Sequence, residues 1–143
     1  MSGFRFYFPI EVRYGDLDPQ GHVNNARFLT YFEQARINYV IHLDLWDQRS
    51  YLSIGFILAN IQVTFLSPIL FKQEIQVGVR VTGLGNKSLT MEYSIEDGKS
   101  GGQLASGTST LVTYNYQDGK TIPIPKHWRK VISDFEGLNT KTE

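Results

Sequence analysis

The stretch YGDLDPQGHVNN (residues 14–25) runs without a break into ARFLTYFEQARINYVIH (residues 26–42). The first part is dense in turn formers, with Pro19 and Gly21 as punctuation, and reads as a loop over Asp16 to Asn24. The second part reads as the main helix, from Arg27 to His42. Phe28, Tyr31, Phe32, Ala35 and Tyr39 recur there at helical spacing. Asn24 or Asn25 can cap its first turn, because either side chain can accept an orphan backbone N–H bond. Glu33 and Arg36, three apart, read as a modest surface ion pair or an interface pair. A helix this aromatic needs a broad apolar sheet face to pack on, and the rest of the chain supplies strands.

Phe4 to Arg13 reads as a first strand, with Pro9 pointing to an edge position or a bulge. Leu43 to Ser53 is less regular, and Leu45 and Trp46 are expected to cover one end of the core. The period then switches to two. Ile57, Ala59, Ile61, Val63 and Phe65 are expected on one side of a strand, and Leu58, Asn60, Gln62 and Thr64 on the other. Pro68 ends it. Ile75, Val77, Val79 and Val81 alternate in the next strand, Leu89, Met91, Tyr93 and Ile95 in a further one, and Gln103 to Tyr116 forms the last. Gly83 to Asn86, Asp97-Gly98 and Asp118-Gly119 read as turns. Lys126 to Phe135 reads as a short terminal helix with Pro125 in its first turn, and the polar last residues as frayed. One helix against five strands is an α+β arrangement. Four successive strands suggest meander-like antiparallel pairing. The helix covers one sheet face; the other, rich in Ser and Thr, suits either water or a partner subunit.

The chain has 143 residues, the length of one ordinary domain spanning 1–143, with a 41% hydrophobic composition that can build a core. Lys plus Arg and Asp plus Glu number 14 each, so the net charge is zero and no nucleic-acid footprint is expected. The absence of cysteine excludes disulfides, thiolate catalysis and thiolate metal sites. No apolar run reaches the roughly 18 residues of a membrane span and no segment reads as a signal peptide. The reading is therefore cytoplasmic, with no membrane partner.

The chemistry concentrates before the helix. Two carboxylates, a histidine, a glycine and two asparagines precede a helix start, whose free N–H groups favour developing negative charge. A carboxylate can act as base for water or attack directly, so the combination points to an enzyme acting on a carbonyl. Asp18 is the candidate carboxylate; alternatively it only caps the turn before Pro19-Gln20-Gly21. An extended Asp16–Asp18 segment would point both carboxylates one way, whereas in a turning one Asp16 holds the loop through hydrogen bonds. His22 is a candidate base or a donor to Asp16 or to a backbone carbonyl. Asn24 and Asn25 are caps and loop braces, or orient a catalytic water. Gly21 permits a positive φ, and the N–H groups of Gly21, Val23 and Asn24 can form the oxyanion site. The three histidines lack ligand-like spacing, so no metal is expected.

Arg13 to Asn25, with the pattern D-x-D-x-x-G-H-V-N-N, followed by F-x-x-Y-F-E-x-A-R over Phe28 to Arg36, resembles the acyl-CoA thioesterases of the 4-hydroxybenzoyl-CoA thioesterase type. The resemblance implies the hotdog fold, a curved five-stranded antiparallel sheet wrapped around one long central helix. It implies hydrolysis of an acyl-CoA to free acid and CoA. Asp18 matches the family's catalytic aspartate. Coenzyme A is then part of the substrate, and no cofactor is implied. The family's dimers, and dimers of dimers, complete the site at a subunit interface. The H-V-N-N form, where the 4-hydroxybenzoyl-specific enzymes have another sequence, resembles the short- and medium-chain acyl-CoA thioesterases. Tyr31, Phe56 and Leu58 are candidates for an acyl pocket, or for ordinary packing. Arg80, Lys87, Ser88 and Arg129 are candidates for the CoA phosphates, or solvated rim residues. The alternatives are an acyl-carrier-protein thioesterase of the same fold, a hotdog dehydratase, and a non-catalytic acyl-CoA-binding protein.

Overall fold

Asn24 starts the central helix: its Oδ1 accepts the Ala26 N–H at 2.9 Å while its own backbone stays extended. The computed structural model describes residues 3–46 and 54–138, and this helix, α1 (Asn25–His42), is its longest. All five residues of the aromatic stripe are buried, joined by Arg36 and Val40. Each large apolar side chain so buried is worth about 1.5–3 kcal/mol, which holds α1 to the sheet more firmly than its intrinsic propensity would.

The strands are β1 (Phe6–Ile10), β2 (Ile54–Phe65), β3 (Ile75–Leu84), β4 (Ser88–Asp97), β5 (Gln103–Asn115) and β6 (Lys120–Thr121). They form one antiparallel sheet in the order β1-β3-β4-β5-β2, with β6 pairing β5. Because β1 and β2 lie at opposite ends of this order, α1 links the two edges of the sheet. The fold is α+β and hotdog-like. β3, β4 and β5 form the expected meander, but β2 pairs with β5 and not with β3. Residues 66–74 carry the chain back between them. β6 adds a sixth short strand to the five expected, and a 3-10 turn (Tyr14–Asp16) shortens the first strand to five residues. Pro9 sits on edge strand β1, where its missing N–H costs no interior ladder bond.

The core lies between α1 and one sheet face. Ile75, Val77, Val79, Val81, Leu89, Met91, Tyr93 and Ile95 are all buried there, as their alternation predicts. Phe32 stacks on Tyr93 with centroids 4.7 Å apart. Gly107 makes room for it: a Cβ there would lie 2.7 Å from the Phe32 ring.

The alternation expected in β2 is corrected by a bulge. Leu58 pairs with Leu111 and Asn60 with Thr110, so Ala59 has no opposite number. An unpaired residue inverts the side-chain phase. Phe56 and Leu58 therefore share the helix-facing side with Ile61, Val63 and Phe65, while Ile57 shares the outer side with Asn60, Gln62 and Thr64.

Helix α2 (Lys126–Glu136) docks on the far end of the core. Pro125 is its N-cap residue, not part of its first turn. Trp128 packs on Phe56, and Phe135 on Tyr39 and His42. The Glu136 carboxylate accepts both the Tyr39 hydroxyl at 2.6 Å and the Val81 N–H at 3.0 Å. That N–H lies where β3 breaks register with β4. Leu45 is buried at the core's edge and Trp46 is half-buried. The expectations for residues 47–53 and for the polar end, 139–143, lie outside the described residues. The outer sheet face is polar: Arg80 is ion-paired with Glu92 at 2.6 Å, and Ser94 and Tyr7 both donate to Glu96.

Candidate functional site

The loop before α1 is held by its own backbone. Asp18 N–H donates to the His22 carbonyl and Gly21 N–H to the Asp18 carbonyl, closing a tight turn. Gly21 occupies the left-handed region at φ +83 with open space around its missing Cβ, so backbone conformation and not crowding calls for glycine there. Bridges between Leu17 and Val23 and between His22 and Leu70 tie this turn to its own stem and to the segment after β2.

Asp18 is half-buried. Its Oδ1 accepts the Gln20 N–H at 2.9 Å and, more weakly, the His22 N–H at 3.4 Å. Among the described residues, no side chain or backbone group donates to Oδ2. Asp18 therefore caps the turn with one oxygen and presents the other. Capping and chemistry, alternatives in the sequence, are compatible in this geometry.

The N–H groups expected at the oxyanion site each have a carbonyl partner within the chain. Gly21 N–H serves the Asp18 carbonyl, Val23 N–H the Ile69 carbonyl at 2.9 Å, and Asn24 N–H the Asp16 carbonyl at 2.8 Å. Each is engaged by a loop carbonyl that folds back on it. The N–H at the start of α1 with no protein acceptor among the described residues is that of Asn25; the next two, Ala26 and Arg27, bond back to Asn24. The orphan donor that a helix start offers is therefore one residue later than the sequence suggested. Asn24 acts as the cap.

Asp16 is buried, at 3% exposure, and serves the loop's foundation. It accepts the Tyr31 hydroxyl at 2.8 Å and the Arg13 N–H at 3.1 Å, with the Arg27 guanidinium 3.6 Å away. The Tyr14–Asp16 turn ends the extended geometry under which Asp16 and Asp18 would have acted as a pair. His22 does not donate to Asp16; its imidazole has no hydrogen-bond partner among the described residues. Tyr31 is bound to Asp16 and buried in the core. Burial first, then the bond to Asp16, pushes its hydroxyl well above the ordinary tyrosine range.

The remaining candidates divide among three places. Phe56 and Leu58 do not join Asp18 within one chain. They line a cavity of about 420 Å³ beside the second half of α1, with Arg36, Trp46, Leu111 and Trp128. Arg36 lies 11 residues beyond Asn25, about 16 Å along a helix axis. Lys87, Ser88 and Arg129 gather at the β3–β4 turn. Arg129 donates to the Gly85 carbonyl at 2.7 Å and Lys87 lies 3.4 Å from the Thr121 hydroxyl. Arg80 stands apart on the outer sheet face, paired with Glu92 and over the Phe4 ring. The sequence reading missed buried Arg36 as a cavity residue. Its signal was present: it follows Phe32 by four residues, on the flank of the apolar stripe.

Residues 12–132 match the thioesterase-like superfamily. A thioesterase from Thermus thermophilus, crystallised with coenzyme A and zinc, is 40% identical, covers 97% of this chain and 100% of its own, and superposes with a TM-score of 0.82. The chain belongs to the thioesterase-like superfamily. It is accordingly a thioester hydrolase with a hotdog-like fold. The long-chain acyl-CoA thioesterase FadM of Escherichia coli (strain K12) is 26% identical over 126 residues, 88% of this chain and 96% of its own. A 1,4-dihydroxy-2-naphthoyl-CoA thioesterase from Synechocystis shares the fold alone, at 22% identity and a TM-score of 0.81 over 90% of this chain and 96% of its own. Among the described residues, no group of three or more His, Asp or Glu side chains is placed to hold a metal ion, and no helix is long and apolar enough to cross a membrane.

Proposed function

We propose that this chain hydrolyses acyl-CoA thioesters, with Asp18 as the group that acts on the thioester. The observation that carries the reading is Asp18 itself. One carboxylate oxygen is fixed by the turn and the other has no donor among the described residues, in the loop that leads into a helix start whose Asn25 N–H has no protein acceptor among those residues. As a base, Oδ2 takes a proton from water while the resulting hydroxide adds to the thioester carbon. As a nucleophile, it adds directly and forms a mixed anhydride that water then cleaves. Both routes put negative charge on the carbonyl oxygen, where an oriented N–H at a helix start is most effective. Both expel CoA as a thiolate, which needs no strong general acid. His22 and Asn25, exposed or half-buried on the same loop, are suited to orient water or the carbonyl.

The reading includes a dimer. β2 ends the strand order, and Ile57, Leu58 and Phe65 on it are each more than a third exposed. Edge-to-edge pairing of two β2 strands would satisfy that edge. A partner's Phe56 and Leu58 could then approach Asp18, which those of the same chain do not. Lys87, Ser88 and Arg129 are the better candidates for the CoA phosphates, since Arg80 is committed to Glu92.

The test is thiol release from acyl-CoAs of graded length, including a benzoyl ester, by the parent and Asp18→Asn. Loss of a general base costs about 10²–10⁴-fold in rate, so Asp18→Asn should fall by that factor with fold and assembly intact. Full turnover by Asp18→Asn would remove Asp18 from the chemistry. No release from any CoA ester by the parent would favour an acyl-carrier-protein substrate or a binding role.

A further inference from the structure

The cavity beside the second half of α1 contains a buried charge that, among the described residues, has no hydrogen-bonded carboxylate. Arg36 is 7% exposed. Its Nη1 donates to the Tyr93 hydroxyl at 3.1 Å, and that hydroxyl shares a 2.6 Å bond with the Ser109 hydroxyl. Both partners are neutral. The nearest carboxylate among the described residues is Glu33, whose Oε2 lies 3.9 Å from Nη2, beyond hydrogen-bond length. Glu33 is also 66% exposed, and an ion pair so open to water compensates little. A guanidinium carries five N–H donors and does not deprotonate. A buried charge is ordinarily paired, because leaving it unpaired is costly.

The walls around this charge are mostly apolar, with Glu33 and Tyr116 on the same lining. Ile37, Val40, Phe56, Leu58, Leu111 and Trp128 line the same cavity of about 420 Å³. That volume falls within the range of small-molecule sites, and a mostly apolar pocket with a few polar groups is their usual make-up. The β2 bulge at Ala59 is what turns Phe56 and Leu58 inward to form the wall.

We infer that this cavity is a second ligand site, separate from Asp18 of the same chain, that binds a medium-length monocarboxylic acid with its carboxylate on Arg36 and its chain on Phe56, Leu58 and Trp128. A carboxylate can take two parallel N–H bonds from a guanidinium, which Glu33 does not. The inference does not depend on the proposed role of Asp18. It does separate two ligands of similar shape. The acyl tail of an ordinary thioester is neutral where a free acid is charged, so only the acid uses Arg36.

The protein's two tryptophans, Trp46 and Trp128, both line the cavity, so tryptophan fluorescence reports on it directly. Octanoate and 1-octanol would be titrated into the parent, Arg36→Gln, Leu58→Glu and Asp18→Asn. Octanoate should bind the parent about tenfold or more tighter than octanol, the worth of charge-assisted hydrogen bonds. Arg36→Gln should abolish that preference. Leu58 is 42% exposed, so Leu58→Glu should fold even if Arg36→Gln does not; its carboxylate should occupy Arg36 and weaken octanoate by a similar factor. Asp18→Asn should bind octanoate as the parent does, whatever its turnover. Equal binding of octanoate and octanol would overturn the inference and make the cavity a plain acyl pocket. So would an octanoate preference that survives both Arg36→Gln and Leu58→Glu, or the absence of any fluorescence response.

Discussion

Asp16 and Asp18 are two residues apart and do different work. Asp16 is buried and bound to Tyr31, Arg13 and Arg27; Asp18 caps a turn and keeps one oxygen open. The separation arises because a 3-10 turn ends at Asp16 and sends it inward. Tyr31→Phe would leave the Asp16 carboxylate buried without its hydroxyl donor. The expected loss is about 1–3 kcal/mol, read from urea unfolding, with slower thiol release as the Asp18 loop loosens. The variant should also change the alkaline limb. Tyr31 is raised above its ordinary value of 10.0 in the folded chain, so the folded state holds its proton more tightly than the unfolded state. Its contribution is full below pH 10 and declines as pH rises above it. Tyr31→Phe should make stability fall less steeply above that pH; an unchanged slope would show that the Tyr31 hydroxyl does not set it. The carboxylates and the cap were legible in the sequence, since D-x-D, Gly21 and Asn24 each carry a local meaning. Which N–H groups were left for an oxyanion was not legible. That depends on the Ile69 carbonyl, which reaches Val23 from the segment after β2.

At the scale of elements, the contact of α1 with β4 and β5 rests on a missing side chain. Phe32 stacks on Tyr93 beside Gly107, where a Cβ would lie 2.7 Å from the Phe32 ring and 3.1 Å from the Gln62 carbonyl. Gly107→Ala should destabilise by about 1–3 kcal/mol, the usual range for overpacking, because the ring must leave its stack and the carbonyl is backbone. A thermal midpoint equal to the parent's would show that α1 shifts at no cost. Helical periodicity located α1 to within two residues of its start, and alternation identified β3 and β4, because each signal is set by neighbours in sequence. The β2 bulge left no such trace. Ala59 continues an acceptable strand pattern, and its unpaired state is a property of its register with Leu111 and Thr110. The expected faces of Ile57 and Leu58 were exchanged for that reason.

For the molecule as a whole, the strand order leaves β2 as an edge, with apolar side chains exposed along it. An exposed strand edge is a template for pairing, and the proposed dimer uses it. Ile57→Lys places a charge on that edge, at a position 37% exposed, so the chain itself should tolerate it. Size-exclusion chromatography should show a shift from dimer to monomer, and thiol release should fall with it. A variant that remains dimeric would move the interface away from β2, and a monomer with full turnover would show that one chain carries a complete site. The sequence by itself determined the class of fold, the central helix, the Asp18 loop and the likeness to thioesterases. Periodicity, turn chemistry and a short motif all act over a few residues, so they can be read along the chain. Only the tertiary structure decided that β2 pairs with β5, that Ala59 inverts half of its strand, that Phe56 and Leu58 lie far along α1 from Asp18, and that Arg36 is buried in a mostly apolar cavity. Each of these depends on residues distant in sequence meeting in space, where register, burial and hydrogen-bond supply are set by the partner and not by the local pattern.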